Sequence, residues 1–147
     1  MPPPSLKARA LRLLAQREHT RHELERKLLP HEQTPGELAQ ALDVLQAKGF
    51  INEQRVVESV LHRRATKLGA SRVRQELQAK GVDPQAIADA MADLRGTELT
   101  RAREVWRKKF DAPAADAAAR AKQIRFLVAR GFSADVVRRI VAGSDDA

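Results

Sequence analysis

The sequence predicts an all-α chain of three tandem three-helix repeats in an elongated, curved arrangement. Three observations predict it. Apolar residues recur at spacings of three and four, and no segment alternates with period two over a useful length. Helix start and stop signals mark off roughly nine helices along the chain. A short motif also recurs. Arg21-His-Glu-Leu-Glu-Arg-Lys-Leu28 matches Arg74-Gln-Glu-Leu-Gln-Ala-Lys-Gly81 when Glu23 and Glu76 are aligned, and Gln123 to Gly131 is a looser third copy. Leu24, Leu77 and Leu127 become equivalent, and the repeats are expected at residues 1–50, 51–96 and 97–147.

Pro2 to Pro4 should be extended and mobile. The first helix spans about Ser5 to Glu18, with Leu6, Ala10, Leu13 and Leu14 on one side. Thr20 and Glu23 have capping-box spacing, so Thr20 opens a short helix carrying Leu24 and Leu28, which Pro30 stops. Thr34 and Glu37 repeat the signal with Pro35 at the first helical position. Leu38, Ala41, Leu42 and Leu45 form the buried face there, ending at Lys48-Gly49-Phe50.

The middle of the chain, Asn52 to Val82, reads as its hub. Asn52 can accept a bond from an unpaired backbone N–H. Val56, Val57, Val60, Leu61 and Leu68 follow at helical spacing. Gly69 suits the left-handed residue that ends a helix, and Gly81 repeats that signal after Val73 and Leu77. Asp83-Pro84 opens the next helix, with Ile87, Ala90, Met91 and Leu94 inward and Gly96 closing it. Thr97 starts a helix with Leu99, Ala102, Trp106 and Phe110 on one face. The alanine-rich run after Pro113 has strong helix propensity and leads into Ile124, Phe126, Leu127 and Val128. Arg130-Gly131-Phe132 ends that helix. Ser133 caps a last one with Val136, Val137, Ile140 and Val141, and Gly143 to Ala147 should fray. Phe50, Val82 and Phe132 each follow a glycine and should fold back onto the last turn as core residues.

Composition narrows the partners. The 147 residues carry 27 Lys and Arg against 19 Asp and Glu, a net charge of +8. That favours nucleic acid, an acidic protein face or a membrane surface. Without cysteine there is no disulfide frame, thiolate nucleophile or cysteine-ligated zinc. No apolar run approaches the ~20 residues that span a bilayer, and no secretory signal is visible, so the expected location is the cytoplasm. Four phenylalanines and one tryptophan are the only aromatics. Cores must therefore be small and aliphatic, which suits several small modules able to shift relative to one another.

The candidate chemistry is cationic. His19 and His22 are three apart but fall on either side of a helix start, so the spacing carries no zinc signal; no cofactor or metal is expected. No nucleophile triad, carboxylate pair or phosphate-cradling glycine loop stands out, so no enzyme is expected. The hub instead carries seven basic and three acidic residues. Arg63 and Lys67 share a helical row. Arg64 should lay its stem along the core edge and reach an acid such as Glu76. The expected partner-binding face comprises Arg55, Arg63, Arg64, Lys67, Arg72 and Arg74, joined by Lys108, Lys109, Lys122 and Arg125. Taken singly, each is equally well a solvated residue in a local ion pair. The positive excess is spread along all three repeats, which favours an elongated contact.

Several of these stretches also resemble one family. Arg63-Arg64, Lys67-Leu-Gly69, Arg72 and Glu76-Leu-Gln-Ala-Lys-Gly81 resemble the RecX regulatory proteins of bacteria, which modulate the recombinase RecA. Lys108-Lys109-Phe110 and Arg125 to Ser133 carry the likeness in the third repeat. Arg9 to Leu14, Glu23-Leu24, Lys27-Leu28 and Lys48-Gly-Phe50 carry it in the first. One departure is Val56-Val57, where the family usually has an aromatic followed by alanine. A monomer is the default expectation, and the resemblance implies a non-catalytic protein that binds along the groove of the RecA–DNA filament. It also implies lowered ATPase and strand exchange. Charge alone leaves a general nucleic-acid-binding helical module as the alternative.

Overall fold

The structure, a computed structural model, describes residues 2–143. Among the described residues it contains nine α-helices and no strand. They are α1 (Leu6–Gln16), α2 (Arg21–Leu28), α3 (Glu37–Ala47), α4 (Glu53–Arg64), α5 (Ala70–Ala79), α6 (Pro84–Arg95), α7 (Glu98–Lys109), α8 (Ala117–Ala129) and α9 (Ala134–Val141). A single 3-10 turn, Leu29–His31, follows α2. Of the tail expected to fray, Ser144 to Ala147 lie outside the described residues.

Local chemistry sets most of the helix starts. Asn52 accepts the Arg55 N–H at 3.0 Å, Ser5 that of Ala8 at 3.0 Å, and Asp116 that of Ala119 at 2.8 Å. Thr20 and Glu23 form a reciprocal capping box, with both bonds at 3.0 Å. Asp83 caps α6, with Pro84 inside its first turn. Two starts differ from the expectation. α3 begins at Glu37, with Gly36 at φ 87° as its N-cap, because Thr34 and Pro35 lie in the turn before it. The alanine-rich run becomes helical only at Ala117: the Asp116 side chain offers a cap there, and Asp111 to Ala115 stay irregular.

Helices pack in threes around three separate cores. α1, α2 and α3 enclose Leu24, Leu42 and Leu45. α4, α5 and α6 enclose Val60, Val73, Leu77 and Met91, with Val56 and Val57 also buried where the family departure falls. α7, α8 and α9 enclose Ala102, Leu127, Val137 and Ile140. Leu24, Leu77 and Leu127 have no exposed surface, and each lies on the middle helix of its triplet, as the repeat alignment requires. The accessible surface is 9292 Å². A compact monomer of 16.3 kDa would expose about 7,500 Å². The excess is the signature of three small bodies in a row.

Three details of the core depart from the sequence reading. Phe50 is 47% exposed and Val128 51% exposed, so neither is a core residue. Val82 and Phe132 are buried as expected, at 5% and 4%. Gly81 and Gly131 end middle helices, but Gly49 ends the third helix of its module, so the three glycines are not equivalent. On α7, Ala102 is buried and Leu99 and Trp106 pack partly buried against the same core as expected, but Val105 is also buried and Phe110 lies past the helix end.

Candidate interface at the module joints

The modules are joined end to end through their middle helices. The C-terminus of α5 meets the N-terminus of α2: the Thr20 hydroxyl donates to the Lys80 carbonyl, and Lys80 Nζ lies 3.4 Å from Glu23. Arg55 adds a 2.9 Å pair to Glu18. The C-terminus of α8 meets the N-terminus of α5 in the same way. The Gly69 N–H donates to Arg130 O at 2.7 Å, and the Ser71 hydroxyl to Gly131 O at 2.9 Å. Helix ends carry opposite partial charges, so head-to-tail contact is electrostatically favourable as well as hydrogen-bonded.

Gly69 corrects the sequence reading. Its φ is −77°, so it is not a left-handed stop but the extended N-cap of α5. Glycine is needed for proximity: a Cβ there would lie 2.3 Å from the Gly131 carbonyl carbon. Gly96 closes α6 as expected, in right-handed helical backbone.

Two polar groups secure these joints from inside. Glu23 is held down at about pKa 2: burial alone would raise it, but the Arg17 hydrogen bond, the Thr20 N–H and the Lys80 charge outweigh that. Arg101 donates to the carbonyls of Ala65 at 2.8 Å, Leu68 at 3.0 Å and Leu94 at 3.1 Å. Burial lowers its pKa, opposed by nearby Glu98. The Glu98 carboxylate in turn accepts the Ala70 N–H at 3.0 Å. The loop between α4 and α5 is thus gripped by α7 and α8 together.

The expected basic face is divided by this geometry. Arg55 is spent on the first joint, where it also donates to Gly49 O at 2.8 Å. Arg63 and Arg64 share Glu76 at 3.5 and 3.0 Å, the acid expected for Arg64. α4 ends at Arg64, so Lys67 lies in the following turn and does not share a row with Arg63. Arg72 lays its stem against Gly131. Arg74 flanks a groove over Val82, Ile87 and Met91, with Arg95 on the same groove. Lys122 and Arg125 are exposed on α8, apart from the rest.

Lys67, Lys108 and Lys109 are brought together. They line a cleft of about 300 Å³ between the second and third modules. Arg130 and Phe126 line it too, read in sequence as a helix end and as one of a run of apolar helix residues. Lys109 Nζ lies 5.7 Å and the Arg130 guanidinium 4.9 Å from the Phe126 ring centre. Phe110 meets the same ring edge-on at 5.4 Å. The signal available in sequence was the i, i+4 spacing of Phe126 and Arg130 on one helix.

Comparison with known proteins agrees with the three-module plan. Models of the first, second and third three-helix domains of RecX match residues 7–45, 52–91 and 97–141. The regulatory protein RecX of Leptothrix cholodnii is 55% identical over 141 residues, covering 96% of this chain and 90% of that protein. That of Ralstonia nicotianae is 48% identical, covering 97% and 90%. The crystal structure of RecX from Lactobacillus salivarius shares the fold, with a TM-score of 0.76 at 22% identity over 95% of this chain and 94% of that one. Three domain matches in chain order, each on its own three-helix core, together with relatives near half identity over almost the full length, establish that the chain belongs to the RecX family of regulatory proteins.

Proposed function

We propose that the protein is a non-catalytic, cytoplasmic regulator that binds the RecA–DNA filament as a monomer and lowers its ATPase and strand-exchange activity. Modules divided at residues 50/51 and 96/97 would each meet a different part of the filament groove. The observation that carries this reading is the set of basic side chains left without an acid. Among the described residues, Lys67, Arg72, Arg74, Lys108, Lys109, Lys122 and Arg125 form no ion pair, and they span the second and third modules. The first module contributes as well: Arg17 pairs with Glu23 and Arg21 with Glu25 and Asp43, while Lys7, Arg9, Arg12, Arg26, Lys27 and Lys48 form no ion pair among the described residues. Several weak contacts on one stiff body sum to a tight one when the spacing fits a repeating lattice.

The test is RecA ATPase on single-stranded DNA with increasing amounts of the protein. Inhibition that saturates supports the reading, and an unchanged rate at saturation removes it. The rival reading is a general nucleic-acid-binding module, favoured by the unpaired cations alone. It requires tight DNA binding without RecA and a steep loss of affinity with salt.

A further inference from the structure

We infer that the cleft between the second and third modules is a nucleotide site, taking a phosphate-bearing nucleotide either free or as one unit of a single strand. Lys67 and Thr66 belong to the turn after α4, while Lys108, Lys109 and Arg130 come from α7 and the end of α8. Four cations therefore converge, and among the described residues no carboxylate lines the cleft. None of the four is in an ion pair among the described residues. Lys109 and Arg130 are held by the face of Phe126, which positions a cation without cancelling its charge or occupying its N–H donors. A planar guanidinium with free donors beside three ammonium groups matches phosphate oxygens better than a single carboxylate, which carries only one charge.

The cleft is also preformed. The turn carrying Lys67 is fixed by Arg101 on Ala65 and Leu68, and by the Gly69 N–H on Arg130 O. Little ordering remains to be done on binding. Val105 and Phe126 supply an apolar part to the lining, suited to a base. A volume of about 300 Å³ is at the small end of ligand pockets and is too small for a duplex to enter. Other cationic hollows lack this combination. The one between α1 and α2 has no aromatic, and its Lys27 ammonium is already 3.2 Å from His19 Nε2. The groove at Arg74 and Arg95 is mainly apolar.

The test titrates the full chain, without recombinase, with ATP and separately with a short oligothymidylate, followed by amide and side-chain NMR shifts. The expected result is shifts at Lys67, Lys108, Phe126 and Arg130 with at least one of the two; which one acts names the source. Lys67→Gln and Lys108→Gln should each weaken binding roughly three- to tenfold. For the oligonucleotide each should also lower the salt slope by about 0.7. Lys48→Gln, the same charge change on the first module, should leave ATP binding unchanged. The inference is overturned by three results. One is no shift at the cleft with either ligand. Another is equal loss in Lys48→Gln. The last is equal shifts with an oligoglutamate peptide of matched charge, which would make the cleft an unselective acid-binding surface. A nucleotide bound here with RecA ATPase untouched would keep the site and sink the filament reading. Inhibition of RecA with an empty cleft would do the reverse.

Discussion

Replacing Gly69 by alanine should open the joint between the second and third modules while leaving all three cores folded. The backbone itself is not the obstacle, since φ is −77°. The obstacle is distance. A Cβ would sit 2.3 Å from both the Gly131 carbonyl carbon and its oxygen, and 2.4 Å from the Phe132 nitrogen. Carbon contacts settle near 3.5–4.0 Å, so the two strands of backbone must part by more than about 1 Å. That breaks the 2.7 Å bond from the Gly69 N–H to Arg130 O. It also strains the two bonds from Ser71 to Gly131 O, now 3.3 and 2.9 Å. At about 1 kcal/mol net for each bond, and about 1–3 kcal/mol for overpacking, the joint loses on the order of 3–5 kcal/mol. Native-state hydrogen exchange reads this directly. The Gly69 and Ser71 amides should exchange roughly 10²- to 10⁴-fold faster, with protection at Leu24 and Leu42 unchanged. Gly49→Ala is the comparison: φ is +84° and nothing lies within 4 Å, so it costs only about 1 kcal/mol of backbone strain. Unchanged protection at Gly69 in the alanine variant would refute the argument that the joint is held by this close approach.

Gly96→Ala should be neutral or stabilise by about 0.4–1 kcal/mol, because the residue is already helical and a Cβ would meet only Asp93 O at 3.7 Å; a lowered melting temperature would contradict this. Arg101→Lys should cost about 2–4 kcal/mol, since one ammonium cannot reach the carbonyls of Ala65, Leu68 and Leu94 together; a thermal shift of less than about 2 °C would show that the clamp is unimportant. Glu23 is held below its usual 4.5 at about 2, so its contribution is complete above about pH 4.5 and is lost as pH falls toward 2. Acid should therefore loosen the first joint by up to roughly 3 kcal/mol, and Glu23→Gln should flatten that acid dependence in an unfolding series across pH 2–6. Burial keeps His19 below its usual pKa, so the folded chain resists its protonation and loses a further increment of stability as pH falls below about 6.5; His19→Gln should remove that part of the profile. Lys67→Glu with Lys108→Glu should weaken RecA inhibition about tenfold or more with helicity intact, and full inhibition would move the interface off this cleft.

What was legible in the sequence was what is local. Asn52, Thr20 with Glu23, Asp83-Pro84 and Ser133 act within one helical turn of themselves, so their residue types alone mark the helix starts. Leu24, Leu77 and Leu127 were matched by a short motif and proved to be the buried centres of three middle helices. Illegible were the residues whose meaning depends on another module. Gly69 looks like a stop signal, yet its requirement comes from Gly131, 62 positions away in sequence. Arg101 carries no sequence signal beyond its charge, but its guanidinium is taken up by three carbonyls from the preceding module. Lys67 was grouped with Arg63 by helical spacing, and only the early end of α4 at Arg64 turns it toward α7 and α8. Phe50 follows the same Lys-Gly pattern as Val82, yet it ends a third helix instead of a middle one and stays exposed.

The joints bear on how such a chain could act on a long lattice. Small aliphatic cores suggest modules that slide against one another, and each core here is indeed closed within its own three helices. The connections oppose that freedom. α8, α5 and α2 meet C-terminus to N-terminus, and both meetings use a hydroxyl, Ser71 or Thr20, donating to a carbonyl at the end of the next middle helix. Each contact pairs the positive end of one helix dipole with the negative end of another. Arg101 and Glu98 add a second tie at one joint, and Arg55 with Glu18 at the other. A chain with its modules fixed in this way presents its cations at set spacings. Binding many sites at once then costs little ordering entropy. Stiffness between modules, not strength within any one of them, is therefore the property that a regulator of a periodic filament would need. It resides in the close approach at Gly69, the Ser71 and Thr20 hydroxyls, the half-buried Arg101 with Glu98, and the Arg55–Glu18 pair.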